Sequence, residues 1–228
     1  PRPPRRPGGG GATRTRDGRP AAEAEIAWGD IYIDVPPTAG QILRAYREGI
    51  FPMAEPWTGR LSWYSPDPRG IIPLDTFHVP ARLARTLKAA PFEIRFDTSF
   101  REVISACASR PDADGNWIDA EIIESYCELH ARGFAHSVEA WRDGVLAGGL
   151  YGVALQGAFF GESMFHRTRD ASKAALVALV ERLRARGYTL LDTQWVTHHL
   201  VQFGAVEIPR RRYLRLLDQA LTVDATFE

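Results

Sequence analysis

The chain has 228 residues, 45% of them hydrophobic, and its 28 lysines and arginines balance its 28 aspartates and glutamates. This composition is typical of a soluble globular protein, and the absence of net charge excludes a uniformly basic nucleic-acid binder while allowing a local basic patch. The two cysteines exclude a disulfide framework and a cysteine-rich zinc module. Since we find neither a secretory signal nor an apolar run of about 18 residues, we expect a cytoplasmic protein with no membrane contact.

The first half of the chain is rich in proline, glycine and aromatic residues. Residues 1–24 consist mainly of Pro, Gly and Arg, and they are predicted to form a disordered basic tail. Thr38 is predicted to cap a helix that stops at Gly49. A turn-rich stretch follows, and then a helix over residues 78–88. We therefore expect a small N-terminal domain over residues 25–95.

The second half shows clearer periodicity and is expected to form one larger domain over residues 96–228. Asp119 and Asp170 are predicted to cap two helices, and Asp143-Gly144 lies between two apolar runs, as in a β-hairpin. The predicted elements, in order, are helices over 99–108 and 119–133, strands over 136–141, 145–153 and 154–160, a helix over 170–187, a strand over 189–196, and helices over 198–203 and 211–221. This order predicts an α+β protein in which an acetyltransferase-like (GNAT) α/β domain follows the smaller N-terminal domain.

Side chains suited to catalysis are concentrated near two predicted strands. Asp192 and Gln194 are two residues apart on one strand, so we expect their side chains on the same face, with Glu162 near the end of another strand. Ser163 in Gly-Glu-Ser lacks the second glycine of a nucleophile elbow, which argues against a serine hydrolase. The six histidines show no metal-ligand spacing, so neither a metal nor an organic cofactor is expected.

Four motifs occur together in this chain: GIFPM at 49–53, WYSPDPRG at 63–70, GESMF at 161–165, and LDTQ at 191–194 followed by GAVEIPRRRY at 204–213. With this order and spacing, the chain closely resembles the bacterial leucyl/phenylalanyl-tRNA–protein transferases from about Pro37 to about Leu221. The resemblance implies an aminoacyltransferase that moves Leu or Phe, or in some cases Met, from charged tRNA to the α-amine of proteins beginning with Arg or Lys. Such tagging directs proteins to N-end-rule degradation, and we expect the enzyme to act as a monomer.

The resemblance also implies roles for individual residues. Gln194 would take part in deprotonating the acceptor amine with the help of Asp192, and because an amide is a poor base we expect Gln194 mainly to orient the amine. Glu162 would help to hold the cationic acceptor. The remaining site positions are an apolar pocket for the donor side chain (Leu150, Met164, Leu179 and Leu191), two aromatic residues near the terminal adenosine (Tyr46 and Trp117), and tRNA-binding cations (Arg82, Arg85 and Lys88).

Two other classes of protein remain as alternatives. A CoA-dependent N-acetyltransferase of the same fold would need a glycine-rich loop before the 170–187 helix to hold the pyrophosphate, and HRTRDASK contains no glycine. A tRNA-binding module without catalytic activity would not need Glu162, Asp192 and Gln194 beside an apolar pocket. Met53, where many relatives have Trp, leaves open an altered choice of donor amino acid.

Overall fold

The computed structural model describes residues 37–54, 61–89, 91–109 and 118–228. The predicted tail over residues 1–24 and Trp117 lie outside this part of the chain. The elements are α1 (Ala39–Arg47), β1 (Phe51–Ala54), β2 (Leu61–Tyr64), β3 (Arg69–Ile72), α2 (Ala81–Lys88), β4 (Glu93–Phe96), α3 (Phe100–Ala108), α4 (Ala120–Ala131), β5 (Ala135–Arg142), β6 (Val145–Leu155), β7 (Ala158–His166), α5 (Ala171–Ala185), β8 (Leu190–Gln194), α6 (His198–Val201), β9 (Val206–Ile208) and α7 (Arg210–Ala220).

A seven-stranded sheet in the order β4-β5-β6-β7-β8-β3-β9 forms the centre of the protein. All neighbouring strands are antiparallel except β7 and β8, which are parallel and are joined through α5. A crossover helix between two parallel strands inside a mainly antiparallel sheet agrees with the predicted α+β, acetyltransferase-like domain. None of the helices in the described ranges is long and apolar enough to cross a membrane.

Successive residues of the sheet face two separate hydrophobic clusters. Ile71, Phe160 and Leu190 belong to the cluster that contains α1, α3, α4 and α7, whereas their neighbours Phe159 and Leu191 belong to the cluster around α5. This alternation is the consequence of the two-residue period of a β-strand. The sheet is therefore covered on both faces, and the two faces are packed independently.

Several local predictions are confirmed by hydrogen bonds. The Thr38 hydroxyl accepts from the Gln41 amide at the start of α1, and Asp119 accepts from the Ile122 amide at the start of α4. Asp143 and Gly144 both have positive φ in the turn between β5 and β6, as a tight hairpin requires. Asp170 precedes α5 as predicted, but its side chain pairs with Lys173 instead of capping the helix, because the residue adopts a left-handed conformation.

One prediction about a strand is wrong. The expected separate strand over 154–160 is divided by a turn at Gln156-Gly157, so that β6 runs to Leu155 and β7 begins at Ala158. The apolar run around this turn has no proline or cluster of polar residues to mark it. The domain boundary expected near residue 95 stays a prediction; β3, which lies before it in the chain, is an interior strand of the large sheet between β8 and β9. We propose that the N-terminal unit ends before β3.

Candidate active site

The site lies where the two parallel strands separate. β7 and β8 are paired only from Ala158–Leu190 to Phe160–Asp192, after which β7 continues without pairing to β8. The gap forms a cavity of about 770 Å³ that is closed by α5 and bordered at its mouth by Phe51 to Met53 of β1. Divergence of two strands inside a sheet gives a concave site with rigid walls.

One end of the cavity is apolar. Leu150, Met164, Leu179 and Leu191, the four residues predicted to form the donor pocket, all line it. The three leucines are buried, and Leu176 and Leu200 extend the same wall. The structure thus brings together all four predicted residues from β6, β7, α5 and β8, in a space suited to an apolar side chain.

The other end of the cavity contains a carboxyl group next to an amide. The Gln194 side chain donates from Nε2 to Glu162 Oε1 at 3.3 Å, and both residues line the cavity. The Tyr126 hydroxyl donates to Glu162 Oε2 at 3.3 Å and lies 2.8 Å from the Tyr46 hydroxyl. Glu162 is therefore oriented from both sides while it still faces the cavity.

The environment of Glu162 favours its protonated form. Burial raises the pKa of Glu162 from 4.5 to about 7, and the nearby Asp192 charge acts in the same direction, while hydrogen bonds from Tyr46 and Tyr126 oppose the shift. Burial also raises the pKa of both tyrosines well above 10, so they remain neutral donors. A carboxyl group with a pKa near neutrality is suited to accepting and releasing a proton.

Asp192 does not line the cavity and lies in the core, beside the cluster that contains Tyr46, Tyr126 and Tyr213. Its side chain is completely buried and forms a salt bridge with Arg69, with Nε–Oδ1 and Nη2–Oδ2 distances of 3.0 and 2.6 Å. Oδ2 also accepts from the Tyr213 hydroxyl at 2.7 Å, and Oδ1 accepts from the Gln194 amide at 2.8 Å. All of its contacts are therefore with protein groups.

The prediction that Asp192 and Gln194 present their side chains on one face rests on a regular strand, and the strand ends at Gln194. Gln194 has a φ of 58°, in the left-handed region, so the two-residue period of the strand ends there. Gly70 of β3, which is paired with Gln194, lies against this turn; a Cβ at Gly70 would come within 2.5 Å of the Trp195 carbonyl carbon. The strand ends in a tight turn that directs only Gln194 into the cavity.

Of the two aromatic residues predicted near the terminal adenosine, Tyr46 belongs to the described part of the chain. Tyr46 is completely buried, with its ring 4.7 Å from that of Phe160, so neither face is available for stacking on a base. It reaches the site through Tyr126. Trp195, which we did not single out, is 37% exposed and lines the mouth of the cavity with its ring edge-on to Phe51. Its position directly after Gln194 was the sequence signal for it.

The three predicted tRNA-binding cations lie on α2. Arg82, Arg85 and Lys88 are exposed and spaced three residues apart on the side opposite the buried Leu83, and none of them forms an ion pair with another described residue. Arg82 is close enough to Asp170 to contribute, after Lys173 and Arg169, to lowering its pKa. Leu87 of α2 also packs against the cluster that contains Ala171 and Ala174, so α2 lies beside the start of α5.

Arg69 and Tyr213 are the main residues whose place in the site the sequence did not reveal. Both occur within quoted motifs, Arg69 in WYSPDPRG and Tyr213 in IPRRRY, but spacing alone does not show that the two segments meet. Among the described residues, no group of three or more His, Cys, Asp or Glu side chains could hold a metal ion.

An apolar pocket that ends on a carboxyl group and an amide has the features needed to hold an acyl donor next to an amine acceptor. The sequence profile of the leucyl/phenylalanyl-tRNA protein transferases matches residues 71–218, and the profile of their N-terminal domain matches residues 36–67. The chain is 59% identical over 187 residues to the leucyl/phenylalanyl-tRNA–protein transferase of Herpetosiphon aurantiacus, covering 82% of this chain and 95% of that protein. The enzyme of the same name from Akkermansia muciniphila is 58% identical over 181 residues, or 79% and 94% of the two chains. The chain therefore belongs to the leucyl/phenylalanyl-tRNA–protein transferase family.

Solved structures with a similar arrangement are much more distant. The L-PGS of Bacillus licheniformis is 13% identical, with a TM-score of 0.39 over 71% of this chain and 55% of that chain. An aminoglycoside N-acetyltransferase in complex with CoA is 18% identical, with a TM-score of 0.33 over 59% and 89%. The family assignment rests on the sequence matches.

Proposed function

We propose that the protein transfers Leu or Phe from charged tRNA to the α-amine of proteins that begin with Arg or Lys. The amine nitrogen attacks the ester carbonyl, an amide bond forms, and the carbon–oxygen bond to the ribose breaks to release the tRNA hydroxyl. The incoming ammonium loses two protons, one to a base before the attack and one that ends on the departing ribose oxygen. The observation that carries this proposal is the apolar pocket ending at Glu162 and Gln194, in a chain of this family.

Each end of the cavity has a separate task in this reaction. The donor side chain occupies the wall formed by Leu150, Met164, Leu179 and Leu191, which places the ester near the polar end. Gln194 orients the amine, because a neutral amide is a poor base. In its ionised form, Glu162 attracts the ammonium and accepts its first proton, for which a pKa of about 7 is well matched. Holding both reactants in attack geometry supplies most of the acceleration, since the ester is already activated.

The tRNA body lies on α2 in this proposal. Arg82, Arg85 and Lys88 are exposed cations on a helix beside the start of α5, and phosphates are neutralised by such side chains. Trp195 at the mouth offers an exposed ring to the terminal adenosine, the role expected of Tyr46 from the sequence. The enzyme acts as a monomer in this proposal.

A transfer assay tests this function directly. Radiolabelled Leu-tRNA is mixed with the protein and with one of two acceptors that differ only in having Arg or Ala as first residue. Label that stays in acid-insoluble protein after hot-acid deacylation, with the Arg acceptor only, is the expected result. Gln194→Ala removes the amide, and Glu207→Gln on the exposed edge of β9 is its control. Failure of the wild-type protein to label either acceptor contradicts the proposal, and acetylation from acetyl-CoA would favour the acetyltransferase alternative.

A further inference from the structure

The buried cluster around Arg69 and Asp192 connects four parts of the chain. Arg69 from β3 binds Asp192 of β8 through two hydrogen bonds and also donates from Nη1 to the Gly49 carbonyl at 2.9 Å. Tyr213 of α7 donates to Asp192 and packs its ring against the guanidinium, 4.3 Å from the ring centroid. Arg69 and Asp192 are both completely buried, so neither touches a bound substrate.

We propose that Arg69 and Tyr213 are positioning residues that fix Gln194 in its catalytic orientation through Asp192. The proposal rests on the function proposed above. Asp192 Oδ1 accepts from both Arg69 Nε and the Gln194 amide, and Oδ2 accepts from Arg69 Nη2 and the Tyr213 hydroxyl. With two bonds on each oxygen, the carboxylate cannot rotate without losing hydrogen bonds.

The fixed carboxylate determines where the Gln194 side chain points. Gln194 has a left-handed backbone, which is unfavourable for a residue with a side chain unless surrounding contacts hold it. The hydrogen bond from its backbone N–H to Asp192 Oδ1 is such a contact. When the backbone is held in this way, Gln194 Nε2 reaches Glu162 Oε1. If the hydrogen bond from the backbone N–H to Asp192 is lost, the turn can relax and move the side-chain amide of Gln194 away from the reacting amine.

Arg69 also connects this turn to the mouth of the cavity. Its bond to the Gly49 carbonyl holds the end of α1, immediately before β1, and its guanidinium lies 4.8 Å from the centre of the Phe51 ring. Phe51 and Met53 line the cavity. The buried Arg69 side chain therefore holds the β1 side of the cavity mouth. Through Asp192 it also holds the backbone of Gln194, whose side-chain amide orients the amine.

A double substitution separates positioning from simple stabilisation. Replacing a buried ion pair by apolar residues of similar volume is often neutral for stability, whereas removing one partner is strongly destabilising. Arg69→Met combined with Asp192→Leu therefore gives a folded protein without the bonds to Gln194, to be checked by its melting temperature and its donor-binding stoichiometry. Tyr213→Phe keeps the ring and removes only one hydrogen bond, so it serves if the double variant does not fold.

The decisive measurement is kcat, with and without Gln194. We expect the double variant to lose about 100-fold in kcat, as for a misplaced catalytic group, with an unchanged KM for charged tRNA, and Tyr213→Phe to lose less. In a Gln194→Ala background, neither change should lower kcat further, because the group they position is already gone. The positioning role would be overturned if these substitutions lowered kcat by the same factor in the Gln194→Ala background as in the wild-type background. Wild-type turnover in the folded double variant would overturn it too. If the wild-type enzyme transfers no amino acid, both the proposed function and the positioning role that rests on it are overturned.

Discussion

Replacing Glu162 by Gln changes how the stability of the protein depends on pH. The Glu162 carboxyl has a pKa of about 7 in the folded protein because it is buried, compared with 4.5 for an unperturbed group. The folded state therefore holds this proton more tightly than the unfolded chain does. As pH rises between these two values, the free energy of unfolding falls, since the buried group must become charged. Glutamine has nearly the same size and no charge, so the unfolding free energy of the variant does not fall with pH for this reason.

The size of the effect follows from the two pKa values. A change from 4.5 to about 7 corresponds to about 3 kcal/mol of unfolding free energy, at 1.36 kcal/mol for each pKa unit. Below about pH 4.5 both states are protonated and the loss is absent, and above about pH 7 it is complete. The difference in unfolding free energy between Glu162→Gln and wild type should thus increase by about 3 kcal/mol, in favour of the variant, from acidic to alkaline pH.

Urea unfolding at several pH values provides the assay. The difference in free energy of unfolding between Glu162→Gln and wild type is measured at about pH 5 and about pH 8, with the slope against urea as a check on two-state behaviour. Glu207→Gln, on an exposed position of β9, controls for loss of a carboxylate in general. Parallel pH profiles for wild type and Glu162→Gln would refute the reasoning and remove burial as the dominant influence on this group.

Three further predictions concern the substrates and the buried pair. The double variant Arg85→Ala, Lys88→Ala should bind charged tRNA with a weaker salt dependence, and the slope of log K against log salt should flatten by roughly 0.7–0.9 for each lost phosphate contact. Transfer from a minimal aminoacyl-adenosine donor should stay unchanged. Equal losses with both donors would contradict a role in binding the tRNA body. Leu150→Phe should fill the apolar wall and lower kcat/KM for Phe-tRNA more than for Leu-tRNA, and an unchanged ratio would place the donor side chain elsewhere. Asp192→Asn leaves Arg69 buried without a charged partner, so we expect a loss of about 3–5 kcal/mol in urea unfolding; wild-type stability would contradict the buried ion pair.

The elements with strong local signals could be predicted from the sequence. Thr38 and Asp119 are side-chain caps followed by apolar periodicity, and Asp143-Gly144 is a turn between two such runs, so each depends only on near neighbours. β3 could not be predicted in the same way. Its four residues are buried because β8 and β9, more than a hundred residues away, lie on either side of it. Strand pairing over such distances leaves no local pattern.

The candidate site was predicted in its composition and missed in part of its geometry. The four apolar residues line the cavity because each is an apolar residue on a core-facing position, which a sequence comparison transfers well. Asp192 accepts from the backbone N–H of Gln194 but does not line the cavity, and the left-handed turn at Gln194 that ends the strand cannot be read from residue spacing. Arg69 appears in the sequence as an ordinary arginine, since its burial depends on Asp192, Tyr213 and the Gly49 carbonyl.

The division of the site between the two faces of the sheet has a consequence for protein engineering. The apolar wall, including Leu179 and Leu191, belongs to the cluster around α5, whereas the support of Gln194 belongs to the cluster that contains Tyr213 and α7. Libraries that vary the donor wall can therefore sample new amino acid side chains without loosening the support of the reacting amide. Changes in acceptor choice can be selected separately and then combined, because side chains that share no neighbours tend to contribute additively.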